Sequence, residues 1–304
     1  MAISRAQLVK ELEPGLNALF GLEYKRYENQ HAEIYTTESS DRAFEEEVML
    51  SGFANANVKV EGSGVAYDEA QETYTARYTH DTLALAFSIT EEAIEDNLYD
   101  RLASRYTKAL ARSMSNAKQV KAVTPLIDGL PSTDGYDSGD GVSLFNTAHT
   151  TVSGTNVKNT LSTQADLNET SLEQAMIDIA SMTDERGLRV AARGIKAIVP
   201  SANQFNAERL MKSQGRTGTA DNDINAIASM GMIPQGYRVN NFLTDTDSWY
   251  IITDVPNGMK MFQRAALKTA MEGDFDTGNV RYKARERYSF GVSDYRGIFG
   301  VEGA

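Results

Sequence analysis

The sequence predicts an α+β fold, and three observations carry that expectation. Residues 58–88 alternate apolar and polar side chains as a β-hairpin does. Residues 90–123 run without Gly or Pro, as one helix well beyond the usual length. Residues 279–299 alternate again, with aromatic and apolar residues on one parity and basic residues on the other.

With 304 residues, 41% hydrophobic and 24% charged, the chain can bury a core as one elaborate domain or two modest ones. That composition excludes a wholly disordered or fibrous chain. The net charge of −12 argues against a general nucleic-acid binder, which needs Lys and Arg to neutralise phosphates, and against docking on an anionic membrane. It suits a wall that lies near nucleic acid without adhering to it. With no cysteine there are no disulfides, thiolate nucleophiles or cysteine metal ligands. Met1 to Arg5 leads into a charged helical pattern, so no signal peptide is expected. No window approaches the roughly 20 apolar residues of a membrane span. The expected site of synthesis is the cytoplasm.

Taken in chain order, residues 4–20 predict a short helix with Leu8, Leu12, Leu16 and Leu19/Phe20 on one side, interrupted by Pro14 and Gly15. Residues 21–44 have little periodicity and are expected to be an extended arm. Glu45-Glu46-Glu47 reads as a solvated face. In the hairpin, Val58 and Val60 flank Lys59, Val65 and Tyr67 flank Ala66, and Tyr74, Ala76 and Tyr78 share one parity. Asp68 to Glu72 is the expected acidic tip. A hairpin with so little apolar content needs another surface.

Thr90 is a good N-cap for the long helix, and Glu91 and Glu92 suit its first turn. Ile94, Leu98, Leu102, Tyr106, Leu110 and Met114 repeat every four residues, so the apolar stripe winds around the rod. The 34 residues would span about 50 Å. That suits one rod crossing several neighbours. Residues 124–166 read as a glycine-bearing loop around Val142, Leu144 and Phe145. A second helix is expected over 169–186, with Leu172, Met176, Ile179 and Met182 inward and Gly187 as its stop.

Short strands and helices then alternate over 194–262. A strand should end at Pro200, a helix should cover 203–212, and Trp249 to Thr253 should be a compact strand before the turn Pro256-Asn257-Gly258. In the last β region, Val280, Tyr282, Ala284, Tyr288, Phe290 and Val292 share one face, broken only by Glu286. Arg281, Lys283, Arg285 and Arg287 share the other.

Catalytic motifs are largely absent. There is no phosphate-binding GxxxxGK[ST], no HExxH, no GxSxG elbow and no complete EF-hand. Gly215 to Thr219 is a plain loop. Asp134, Asp137 and Asp140, and also Asp245 and Asp247, read as turn residues or as holders of a weakly bound cation. His31, His80 and His149 lack metal-ligand spacing. No catalytic, cofactor or metal site is expected. The basic face is open to three readings: phosphate contact, pairing with an acidic stretch such as Glu45 to Glu47 of a neighbouring subunit, or a solvated strand face.

The order of pieces resembles a known family. Phe44 to Phe53 precedes the hairpin, and Ala86-Phe87-Ser88-Ile89-Thr90-Glu91-Glu92-Ala93-Ile94-Glu95-Asp96-Asn97 joins it to the long helix. This junction is similar to the E-loop and spine helix of tailed-bacteriophage major capsid proteins of the Hong Kong 97 fold. Leu144-Phe145-Asn146-Thr147-Ala148-His149 and Arg287 to Gly297 resemble segments of the branch with Mu-like major head subunits. The resemblance spans about residues 44–300.

It implies an N-terminal arm (1–44), an E-loop hairpin (45–88), a peripheral domain (89–190, with spine helix 90–123 and second helix 169–186), an axial domain (191–262) and a return to peripheral strands (263–304). It further implies pentamers and hexamers of the chain in an icosahedral virion capsid, assembled in the host cytoplasm around double-stranded DNA held without sequence-specific contacts. Implied partners are a portal protein and separate scaffolding or decoration proteins, because only about 44 residues precede the E-loop. Membranes and cofactors have no part. Candidate inter-subunit contacts are Glu45, Glu46, Glu47, Lys59, Tyr67, Tyr74, Tyr78, Arg281, Lys283, Arg285 and Arg287. Lys59 is the single lysine of 45–88, and no cross-linking role is assigned to it. The alternatives are an encapsulin-like nanocompartment, distinguished by protein cargo in place of DNA, and a monomeric α/β hydrolase-like enzyme, distinguished by a convergent catalytic cluster.

Overall fold

The computed structural model describes residues 5–95, 99–133, 135–216, 223–274 and 278–304. Its elements run α1 (Arg5–Arg26), β1 (Thr36–Ser39), β2 (Phe44–Leu50), β3 (Glu72–Thr79), β4 (Asp81–Ile89), α2 (Glu91–Glu95), α3 (Tyr99–Asp128), β5 (His149–Thr150), β6 (Asn156–Val157), α4 (Glu169–Ser181), β7 (Gly194–Pro200), α5 (Gln204–Lys212), α6 (Ala226–Met230), β8 (Tyr237–Asn240), β9 (Trp249–Thr253), β10 (Met259–Gly273), β11 (Val280–Val292) and β12 (Ile298–Val301).

Two four-stranded sheets organise the chain, in the orders β1-β10-β11-β4 and β12-β9-β7-β8. In the first, β11 lies antiparallel between β10 and β4, and β1 adds parallel to β10. The alternation of β11 places Val280, Tyr282, Ala284, Tyr288 and Phe290 inward, as expected. Glu286 is carried inward with them and is 1% exposed. Its carboxylate lies 3.5 Å from Lys118 Nζ and accepts from the Tyr24 hydroxyl. Burial pushes its pKa up, and the Lys118 charge partly offsets this.

The long helix crosses two cores, as its winding stripe predicts. Leu110 and Met114 pack with Leu16 and Phe20 of α1 and with Tyr282 and Ala284 of β11. One turn or more further on, Ala122, Val123 and Leu126 enter the main core beside Ile251, Phe299 and Tyr288. Tyr106 is half exposed, and Leu98 lies outside the described residues. The helix does not stop before Pro125 but runs through it to Asp128. A proline there removes one intrahelical hydrogen bond, and complete burial of Leu126 outweighs that loss.

Three further expectations are corrected. Helix α1 passes through Pro14 and reaches Arg26, because Leu16 and Phe20 gain a buried surface on α3 and β11. Residues 27–39 are no free extended segment: the Tyr35 hydroxyl donates to Ala122 O at 2.6 Å, and β1 joins β10. Helix α4 ends at Ser181, five residues early. Gly187 (φ +83°) serves a following turn, in which Gly187 and Leu188 N–H donate back to Asp184. The inward face of Leu172, Met176, Ile179 and Met182 stands, and Asn168 and Ser171 cap α4 reciprocally.

The α/β region keeps its predicted elements: β7 ends at Pro200, α5 covers Gln204–Lys212 and β9 covers Trp249–Thr253. The last strand, β12, pairs with β9 and so belongs to the second sheet. The residues 129–167 are mostly irregular, yet Leu144 and Phe145 are wholly buried. Gly300 permits this: a Cβ there would lie 2.5 Å from the Phe145 ring.

Candidate assembly interface

The surface least explained by the chain itself is residues 51–71. The sequence predicts strands at 58–60 and 65–67, but the ladder joins β2 to β3 instead, with Phe44 opposite Thr79 and Leu50 opposite Glu72. The segment between them has no strand. Val58 is 94% exposed and Tyr67 98% exposed, with Phe53, Val60 and Val65 also out in solvent. Its internal hydrogen bonds cluster at its ends and at one turn: Ser51 and Gln71 bond reciprocally, Ser63 bonds to Val60 O, and Asp68 accepts from Ala54 N and Glu69 N. Alternation without an apolar surface to lie on cannot hold a two-stranded ladder.

The root of the hairpin is fixed. Glu47 accepts from Lys260 Nζ at 2.5 Å and from the Ser293 hydroxyl. Burial alone would lower the Lys260 pKa, but Glu47 and Glu38 hold it above its ordinary value. The Tyr78 hydroxyl shares Ser293 Oγ at 2.5 Å, and its ring meets Phe262 edge-on at 4.8 Å. At 2% exposure, Tyr78 is a core residue of its own chain, and this corrects its expectation as an inter-subunit contact. Tyr74 is half-buried against Tyr295. Glu45 accepts from Ser40, and Glu46 stands near Arg77 at 3.7 Å on the surface. The acidic run is therefore largely committed within its own subunit. Lys59 and Tyr67 remain exposed at the projecting end.

The four basic residues of β11 divide. Arg281 pairs with Asp274 and faces Glu272 across the ladder. Lys283 is exposed between Ala270 and Ala86. Arg285 lies opposite Lys268, a like-charge pair, and Arg287 lies opposite Ala265. Two register shifts in β10, between Gln263 and Lys268, bring Arg264 to the same place. Arg264, Lys268, Arg285 and Arg287 line a hollow of about 210 Å³ floored by Ala265 and Ala266. Arg264 and Lys268 escaped the sequence reading, because the bulge that re-aims them breaks the alternation on which it depends.

The remaining polar cluster is structural. His149 is fully buried, with Nδ1 2.6 Å from Asp140 Oδ2 and its ring stacked 3.9 Å from Tyr295. His149 Nε2, where a hydroxyl nucleophile would sit in a hydrolase, faces Asn159 Oδ1 at 3.1 Å. The Asn159 amide nitrogen donates to Leu144 O and Tyr295 O, tying the loop to the chain end. Asp137 and Asp245 accept backbone N–H groups of their own turns, while Asp134 and residues 217–219 lie outside the described residues. Among the described residues, no group of three acidic or histidine side chains is placed to hold a metal ion, and no helix is long and apolar enough to cross a membrane.

Comparison with known proteins agrees with this geometry. The sequence matches the family model described as phage capsid protein over residues 72–301. No curated protein matches it. Among solved structures, it is similar to the procapsid of bacteriophage JBD30, at 13% identity and a TM-score of 0.55 over 99% of this chain and 77% of that one. It is similar to the capsid of Myoviridae phage XM1, at 12% identity and a TM-score of 0.52 over 89% of each chain. It is also similar to a virus-like particle from Pyrococcus furiosus, at 9% identity and a TM-score of 0.51 over 94% of this chain and 98% of that one. The α+β fold is thus of the Hong Kong 97 type.

Proposed function

The chain belongs to the phage capsid protein family, and from that premise we propose that it is the major capsid subunit of a tailed, double-stranded-DNA bacteriophage, assembling as pentamers and hexamers into an icosahedral shell. It is a structural protein of the virion and not an enzyme. The observation that carries the assembly reading is the segment 51–71, whose valines and tyrosine face water together on a stretch without a ladder of its own. A neighbouring copy supplies the surface it lacks, and weak contacts of this kind add up over a closed shell.

In this reading residues 1–44 act as the arm, 45–88 as the E-loop, 89–190 with 263–304 as the peripheral domain and 191–262 as the axial domain. Lys59, Tyr67 and the basic end of β11 then lie between subunits. A portal, separate scaffolding or decoration proteins and packaged DNA are the partners. Placement in the branch with Mu-like head subunits is favoured by the meeting of its two resembling segments: Asn159 bonds Leu144 O and Tyr295 O, and His149 stacks on Tyr295.

The likeness to the Pyrococcus furiosus particle favours one second reading, a nanocompartment shell. Negative-stain electron microscopy of the purified protein, alone and after dialysis from a chaotrope, tests both. Closed particles or rings of five or six support a shell, and their content, DNA or protein cargo, decides between the two. A monomer under every condition would overturn both.

A further inference from the structure

The hollow on the outer face of the first sheet is built at a cost to the subunit that holds it. Arg285 and Lys268 are directly opposed across β10 and β11, an arrangement that repels. Arg287 and Arg264 close the same hollow, and the Nε atoms of both are buried without a hydrogen-bond partner. A buried, unsatisfied guanidinium donor is normally destabilising. Among the described residues, no carboxylate lies within ion-pair distance of Arg264, Lys268, Arg285 or Arg287. By contrast, Arg281 on the same face has Asp274. Alanines at 265 and 266, with Ala84 across the ladder from Arg285, place small side chains around the hollow. Four cations, a shallow floor and two orphaned donors describe a receptor for carboxylates.

We propose that this hollow receives carboxylates of the projecting segment of a second copy, Glu61 and Glu69. The proposal rests on the shell reading and names the partner of that surface. Charge complementarity selects the occupant. Residues 51–71 carry Glu61, Asp68 and Glu69 against the single base Lys59. Asp68 is engaged at home by Ala54 N and stands 3.9 Å from Arg186, which also donates to the Glu69 backbone carbonyl, whereas the Glu61 and Glu69 carboxylates have no ion pair with their own chain among the described residues. Glu61 sits in the turn closed by Ser63 N–H donating to Val60 O, at the far end of the segment. Apolar contact by Val58, Val60 and Tyr67 brings the two surfaces together, and the ion pairs set which part of the neighbour is engaged.

The test compares the wild-type chain with Arg285→Glu, with Glu61→Lys/Glu69→Lys, and with their combination. The readouts are the melting temperature of the unassembled protein and the protein concentration at which particles form. Arg285→Glu replaces a repulsive cross-strand pair by an attractive one with Lys268, so the melting temperature holds or rises. Particle formation nevertheless needs at least about tenfold more protein, equivalent to ~1.4 kcal/mol. The double lysine variant shows a similar loss, and the combination returns to within about threefold of wild type, because coupled charges are non-additive. The wild-type control reports on the shell reading by itself. A fall in melting temperature for Arg285→Glu would assign the hollow to the subunit's own fold. Wild-type assembly by either variant, or additive loss in the combination, would remove the proposed pairing. Wild-type assembly with lost retention of double-stranded DNA would overturn it in favour of phosphate contact.

Discussion

Residues 51–71 and 129–167 are both long, glycine-bearing and nearly free of regular structure, yet they differ in what covers them. The first has Val58 and Tyr67 almost wholly in water. The second buries Leu144, Phe145, His149 and Asn159 completely. The second is irregular because it threads a core already made by α3, β9 and β12, where side-chain hydrogen bonds replace a ladder. The first is irregular because, apart from Arg186 at Asp68 and the Glu69 carbonyl, its exposed apolar side chains have no surface of their own chain to lie on. Lack of secondary structure therefore has two opposite meanings in one molecule: a completed interior and an unfinished surface.

Substitutions sharpen this contrast, beginning with the largest effect. Phe145→Ala should destabilise the unassembled subunit by about 3–5 kcal/mol in denaturant titration, because a buried ring beside Tyr250 and Gly300 leaves a cavity. A loss below about 1 kcal/mol would mean that the segment is not core. Asn159→Ala should cost about 1–3 kcal/mol by the same method, since it removes the Asn159 donor to the buried Leu144 carbonyl and the acceptor of the Asn146 N–H.

A smaller effect follows from His31, which ties the stretch before β1 to the long helix. Its ring nitrogen Nδ1 accepts from Gln119, and burial, assisted by the Lys118 charge, pushes its pKa down to about 4. Below its ordinary 6.5 the unfolded chain takes up a proton that the folded chain refuses. Stability should thus be flat with respect to this group above that pH. It should fall by up to ~1.4 kcal/mol per pH unit as the pH drops towards 4. Comparing His31→Gln with the wild type across that range isolates the contribution, since Glu286, with its raised pKa, acts in the opposite sense. Equal slopes for the two proteins would refute it. Smallest of all, Val58→Ser with Tyr67→Ser should change subunit stability by less than about 0.5 kcal/mol while weakening assembly, which light scattering reports.

Much of the fold was legible where one period dominates. The four-residue repeat predicts a helix and the burial of its Leu110 and Met114, though not of Tyr106, and the alternation from Val280 to Val292 predicts a strand and its buried face. Reading failed where a neighbouring element overrides local chemistry. Pro14 and Pro125 do not end their helices, because Leu16 and Leu126 are buried beside them. The hairpin pairing was misplaced because Val58 to Tyr67 alternates as well as Phe44 to Leu50 does, and only tertiary contacts to Lys260 and Ser293 choose between them. Of the candidate contacts, exposed Lys59 and Tyr67 follow from the hairpin pattern, whereas Tyr78 shares that pattern and is core. Arg264 and Lys268 depend on a β-bulge, which has no signature in the alternation.

The central claim is that residues 51–71 are completed by a neighbouring copy. Amide hydrogen exchange of that segment, in unassembled protein and in purified particles, tests it most directly. Fast exchange in the free subunit and strong protection in particles is the predicted result, with β11 protected in both. Equally fast exchange of 51–71 in both states would contradict the claim.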